Sequence, residues 1–216
     1  MTDLAPPFDT SITDALLSTT RSVRKRLDLD RPVPREVILE CIALSMQAPT
    51  ASNSQGWRWI VVDDPAKRAR LAELYALTAD VYLNAMPDSN AQGTRVRSSA
   101  LHLNEVLARV PVHVIPCVEG STASLGTLTG VAGLFGSIMP ATWSFMLALR
   151  SRGLGSAWTT LHLPHADEAA ELLGIPDGFF QVALLPVAYT IGTSFQPASR
   201  PLPETITSFN SWDATG

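Results

Sequence analysis

Cysteine is scarce: Cys41 and Cys117 are the two in 216 residues. They lie far apart and match neither a metal-ligand spacing nor a Cys-x-x-Cys pair, which excludes a disulfide framework or a zinc ribbon. Both sit among apolar neighbours and read as small core residues, which suits a reducing, cytoplasmic setting. Charge is also sparse, at 17% of residues, and the net value of −4 gives no reason to expect a nucleic-acid partner. Met1 to Thr10 lacks a basic stretch followed by an apolar one, so no signal peptide is expected. No internal repeat and no linker-like composition shift is present.

The longest absence is the lack of any charged residue from Gly120 to Leu149, a stretch long enough on paper to span a bilayer. Gly, Ser and Thr are scattered through it, and Pro140 stands near its middle. The reading is a loop followed by a wholly buried helix, packed against its own sheet and against a partner subunit, with no membrane involved.

What is present is concentrated in two polar islands. Arg21-Ser22-Val23-Arg24 places two guanidinium groups and a hydroxyl within four residues, a receptor suited to a phosphate dianion. Ala48 to Arg58 is rich in short hydrogen-bonding side chains, including Thr50, Ser52, Asn53, Ser54 and Gln55, which suits the polar edge of a flat heterocycle. A ligand with a phosphate at one end and a planar polar ring at the other is a mononucleotide such as FMN. The bland alternatives stand beside this: a solvated helix end for the first island, and loop residues satisfying their own backbone for the second.

Periodicity places helices over Ser11–Thr19, from Pro34 to Pro49, over 65–84, 94–109 and 132–152, and over Ala166–Leu173. Strands are expected at Trp57–Val62, 111–118, 156–163 and, as one continuous central run, 181–191. Met86 to Gly93 is expected as a polar loop, and Gly120 to Gly130 as the Gly-rich entry to the apolar helix. The tail from Thr193 carries Phe195, Leu202, Ile206, Phe209 and Trp212, apolar anchors that a free tail does not need. Few strands among long helices give an α+β or three-layer α/β class. Three spans follow: an N-terminal extension (1–10), the main domain (11–193) and a docking tail (194–216).

Gly153-Leu154-Gly155-Ser156 follows a helix instead of opening one, so it is no dinucleotide fingerprint. His162 and His165 flank Pro164, which disfavours a metal-binding helix, and His113 reads as structural. Of the five tryptophans, Trp158 stands out, just after the Gly-rich turn and before Thr159-Thr160, whose hydroxyl and amide donors face a ring edge.

The ordered motifs RSVR, VPREVILECIALSMQAPTASNSQGWRWIVVDDPAKRARLAEL, LALRSRGLGSAW, LLGIPDGFF and VALLPVAYTIG resemble the FMN-dependent nitroreductase superfamily, from about Thr19 to Trp212. The resemblance implies a three-layer α/β/α sandwich with a mostly antiparallel sheet, in an intertwined homodimer with FMN at the interface. By position it assigns Arg21, Ser22, Arg24 and the tail's Arg200 to the phosphate side. Pro49, Thr50, Ala51 and Asn53 become a segment lent to the partner's ring, and Trp158, Thr159 and Thr160 border that ring. It implies a two-step cycle in which NADH or NADPH reduces the flavin and leaves before a nitroaromatic, quinone or similar small electrophile is reduced. It names no protein acid or base. A dehalogenase, a flavin-fragmenting enzyme and a flavin-sequestering protein are the other outcomes. This sequence departs from the family at Thr20, where a basic residue is common, at Gly56, where Pro is common, and at Trp143-Ser144, where Gln-Asn is frequent.

Overall fold

A computed structural model describes residues 7–87 and 90–212. Its helices are α1 (Thr10–Thr19), α2 (Arg35–Ser45), α3 (Pro65–Ala85), α4 (Ala91–Val106), α5 (Leu128–Ser151) and α6 (Ala166–Leu173). Its strands are β1 (Trp57–Val62), β2 (Val112–Glu119), β3 (Leu154–Ser156), β4 (Phe179–Gln181) and β5 (Leu185–Tyr189). They form one sheet ordered β1-β2-β5-β3, with β4 also against β2, and every pairing is antiparallel.

Strand alternation sorts the two faces. Trp59, Val61, Val112, Val114, Leu185 and Val187 pack with Ile38 and Cys41 of α2 and with Phe145 and Leu149 of α5. Arg58, Ile60, His113, Ile115 and Cys117 take the other face, on the side of α3 and α6, whose Leu71, Leu74, Tyr75 and Ala169 are buried. The result is an α+β sandwich of three layers.

Two expected strands are corrected. The continuous run over 181–191 is broken: Cys117 pairs with Gln181 and Val114 with Leu185, so Ile115 and Pro116 face Val182, Ala183 and Leu184. Three residues against two make a bulge. Its position follows from Pro116, which has no N–H for the ladder; the Pro116 carbonyl accepts from Val182 N at 3.0 Å. The strand over 156–163 ends instead at Ser156. Beyond it only Thr159 makes a bridge, with Leu184 of the bulge, before a 3-10 turn at Leu163–His165.

Helix starts moved as well. Asn90 Oδ1 accepts from Gln92 N and Gly93 N at 3.0 and 2.8 Å, so α4 begins at Ala91 inside the expected loop, of which Asp88 and Ser89 lie outside the described residues. Thr127 caps α5, which absorbs Gly130 and Gly133; a side chain at Gly130 would overlap the Ser124 carbonyl. Among the described residues α5 is the helix long and apolar enough to cross a membrane. It packs on α2, β2 and β3, but it is not wholly buried within one chain: Met139 and Trp143 stay 43% and 42% exposed.

The chain divides into two compact units, Arg21–Thr193 and the termini, Met1–Thr20 with Ser194–Gly216. In the terminal unit α1 is capped by Asp9, whose Oδ1 accepts from Ser11 N at 2.9 Å, and buries no residue. Phe209 and Trp212 are exposed.

Candidate functional site

The Arg21 island starts directly after Thr20, the C-cap of α1, but it is more than a solvated helix end. A turn at Lys25 and Arg26 lies between two bridges to the sheet, and the segment is stitched across two strands: Val23 N donates to Ser156 O, Asp28 N to Tyr189 O, and Ile191 N to Arg26 O, each at 2.8 Å. Val23 and Leu27 are buried and act as pegs, while Ser22 is exposed and Arg21 and Arg24 are half-buried. Gly155 is what lets this segment approach. A Cβ there would lie 2.8 Å from Val23 Cβ and 2.7 Å from Thr190 Cγ2.

Arg24 Nη1 donates to Ser99 Oγ at 3.3 Å. Burial pulls its guanidinium below the ordinary value, and the adjacent Tyr75 phenol partly offsets this. Burial in turn raises the Tyr75 phenol, against the pull of Arg24. Among the described residues neither Arg21 nor Arg24 is paired with a carboxylate. Beside them Lys25 Nζ donates to Ser98 Oγ at 2.8 Å. Together these residues can receive an anion.

The second island is a loop under backbone strain. Ser52, Asn53 and Gln55 have φ of 52°, 54° and 49°, the left-handed region that side chains avoid. Such conformations persist where the surroundings impose them, and they gather at ligand sites. Here α5 imposes them through Ser137, a residue the sequence reading missed. Its Oγ accepts from Ala51 N at 2.9 Å and donates to Gly133 O at 2.7 Å, while its carbonyl accepts from Trp57 Nε1 at 2.8 Å. The available signal was weak, one hydroxyl among several on a largely apolar helix. Thr50 is half-buried, while Pro49, Ala51 and Asn53 are exposed; Asn53 Oδ1 accepts from Gln55 Nε2 at 3.0 Å.

Trp158 packs against both core clusters on the α5 side of the sheet. Thr159 is buried, and its donors are spent: Oγ1 and N both donate to Leu184 O, at 2.7 and 3.3 Å, while Leu184 N donates to Thr159 O at 2.9 Å. Thr159 therefore positions its neighbours, and the exposed Thr160 is the threonine with a hydroxyl to offer. The structure brings the Arg21 segment and Trp158 onto the same edge, two residues either side of the Ser156 contact. Arg200 lies in the terminal unit, exposed, its Nη1 donating to Ser199 O at 3.0 Å.

Three of the four histidines are engaged elsewhere. His113 is buried, its Nε2 2.9 Å from Leu107 O. Among the described residues neither ring nitrogen of the buried His162 has a hydrogen bond, and the nearby Gln181 Oε1 lacks one as well. His165 Nδ1 meets Glu168 at 3.2 Å.

With this geometry in view, residues 17–189 match the family described as the nitroreductase family. The chain belongs to the nitroreductase family. It is 30% identical over 190 residues to 5,6-dimethylbenzimidazole synthase of Rhodospirillum rubrum, covering 85% of this chain and 86% of that protein. Oxidized iodotyrosine deiodinase bound to FMN and 3-iodo-L-tyrosine superimposes with a TM-score of 0.70 at 20% identity, over 92% of this chain and 99% of the other. A BluB-like flavoprotein from Clostridium difficile gives a TM-score of 0.70 at 20% identity, over 93% and 99%. At this identity the solved structures establish the shared nitroreductase fold. Within it, this family member carries the clamped Arg21 segment, the strained loop and the Trp158 edge described above.

Proposed function

We propose that this chain is an FMN-dependent oxidoreductase that, as a homodimer, takes a hydride from NADH or NADPH and delivers it to a nitroaromatic, quinone or similar conjugated electrophile. The observation that carries this reading is the pair of half-buried cations, Arg21 and Arg24, around the exposed Ser22 on a clamped backbone segment. A half-buried guanidinium without a counter-charge is costly until an anion completes it. A phosphate dianion matches the forked N–H donors and the hydroxyl. The FMN carried by the deiodinase neighbour supports the choice of ligand.

When bound, FMN supplies the redox chemistry. The chain's own residues bind and orient. Arg21, Ser22 and Arg24 hold the phosphate, and Arg200 of the tail is assigned to it by the family resemblance. Trp158 and Thr160 border the ring, held in place by Thr159 through Leu184. Pro49, Thr50, Ala51 and Asn53 reach the ring bound by the partner subunit. The helix between the two anchors favours that exchange. The strained loop is pinned at Ser137 within α5, and the phosphate segment is held by Ser156 of β3, the strand that follows α5. Two copies related by a two-fold axis can trade such islands. The open Met139 and Trp143 face of α5, together with Phe209 and Trp212 of the tail, offers the apolar surface such a dimer would bury.

Purified protein scanned for flavin absorption and then titrated anaerobically with NADH or NADPH tests the reading. Bleaching that reverses on adding a quinone or nitroaromatic supports it; no flavin bands after reconstitution with FMN overturn it. Arg21→Ala combined with Arg200→Ala should leave a folded dimer and raise the FMN Kd by about a hundredfold, two charge-assisted contacts being lost. Unchanged affinity removes the phosphate assignment. A second reading, synthesis of 5,6-dimethylbenzimidazole, is favoured by the 30% identity to the Rhodospirillum enzyme. Its product, sought chromatographically after the reduced flavoprotein is exposed to oxygen, decides between the two.

A further inference from the structure

On the sheet face away from α5, the edge of β1 does not close against the segment that links α6 to β4. A cavity of about 180 Å³ remains between them. Its walls include Trp59 and Ile60 of β1, Cys117 of β2, Ile175 and Pro176 of the linking segment and Phe179 of β4, with Arg58 at the rim. A dry apolar cavity of about 150 Å³ is enough to hold benzene.

The cavity differs from a packing defect in one respect. Arg58 sits over it with its guanidinium carbon 5.7 Å from the centre of the Phe179 ring, and Nη1 donates to Trp57 O at 2.7 Å. Among the described residues Arg58 has no carboxylate within ion-pair distance, although Glu119 lies on the same face of the neighbouring strand. The site thus combines a benzene-sized apolar space, an aromatic wall and a rim cation with unused donors. That is the complement of a small aromatic carboxylate, whose ring enters the cavity while its anionic end meets the guanidinium. The Cys117 thiol in the wall stays protonated, burial having pushed it up to about 12, so it contributes volume and no charge.

We propose that this cavity is a second ligand site, separate from the flavin site, for aromatic monocarboxylates of benzoate size. Arg58 and Ile60 point to the face opposite Trp57, which donates to the Ser137 carbonyl, and opposite the Trp59 ring, which packs on Phe145 of α5 although Trp59 also borders the cavity. A ligand here therefore leaves the flavin edge uncovered.

The probe is 4-fluorobenzoate, followed by fluorine NMR on the protein with and without saturating FMN. Saturable binding that FMN does not displace is the expected result. Arg58→Gln, an exposed change, should weaken the carboxylate about tenfold and leave neutral 4-fluorotoluene unchanged, because only the charged contact is lost. Ile175→Trp should abolish binding of both probes by filling the space. Displacement by FMN would place the probe over the flavin site and overturn this proposal, while leaving the oxidoreductase reading intact. No saturable binding, or equal affinity in Arg58→Gln, also overturns it. A protein that binds the probe but no flavin retains the second site and loses the oxidoreductase reading.

Discussion

Lowering the pH from 7 to 5 should strip this fold of a large part of its stability, and two buried histidines carry the effect. Burial pushes His113 down to about 4 from 6.5, with the Leu107 carbonyl opposing and the nearby Arg68 and His162 adding to the shift. Burial likewise lowers His162 to about 4, with the Gln181 side chain opposing. The unfolded chain takes up these protons near 6.5 and the folded chain only near 4, so stability rises with pH across that window. It is fully present above the unfolded value and is lost as the pH falls toward the folded one. Each histidine then costs about 2 kcal/mol between pH 7 and pH 5, and the pair about 4 kcal/mol. Against a typical total of about 5–15 kcal/mol this is severe, and it corresponds to a fall of about 8–16 °C in Tm for a chain of this size. Urea unfolding followed by circular dichroism at pH 5, 6 and 7, at fixed ionic strength, measures it directly. His162→Leu removes a ring whose two nitrogens already lack partners, so it should fold and should halve the pH slope. A flat profile between pH 5 and 7, or a slope unchanged in His162→Leu, would refute the reasoning.

Three further outcomes follow from the same contacts. Gly155→Ala drives a Cβ into Val23 and Thr190, so it should lower stability by about 2 kcal/mol and weaken FMN retention together; a melt like that of the parent protein would contradict the stitching. Ser137→Ala leaves the Ala51 N–H without its acceptor and should cost about 1–2 kcal/mol, with the loop showing faster amide exchange at Ala51; unaltered exchange would count against the anchor. Ser52→Gly relieves one left-handed side chain and should raise stability by up to about 1 kcal/mol, read as a rise in Tm; a fall would mean that the side chain has a role the structure does not display.

Much of the architecture could be read locally. The aromatic and β-branched run at Trp57–Val62, the Asp64-Pro65 start of α3 and the strongly amphipathic α6 each carry their own signal within a few residues. The misplaced boundaries share a different cause. Strand β3 stops early because the backbone beyond it is taken by Leu184, and Leu184 is free only because Pro116, far along the chain, cannot continue a ladder. The start of α5 looked like a Gly-rich loop because Gly130 answers to the Ser124 carbonyl, a contact invisible in composition. The cations of the anion receptor were legible as a pattern. That Thr159 spends its donors internally, and that Ser137 fixes the strained loop, depends on packing across the sheet and was not legible.

The surplus residue opposite Pro116 places regularity and function in competition. Deleting Ala183 together with replacing Pro116 would restore one-to-one pairing and return the Leu184 amide and carbonyl to the ladder, the kind of smoothing that consensus redesign or selection for heat resistance favours. The same repair would unclasp Thr159 and let Trp158 and Thr160 drift from the edge they border. Variants of this protein recovered under purely thermal selection are therefore expected to lose ligand specificity first at this edge, while the sheet itself becomes more orderly.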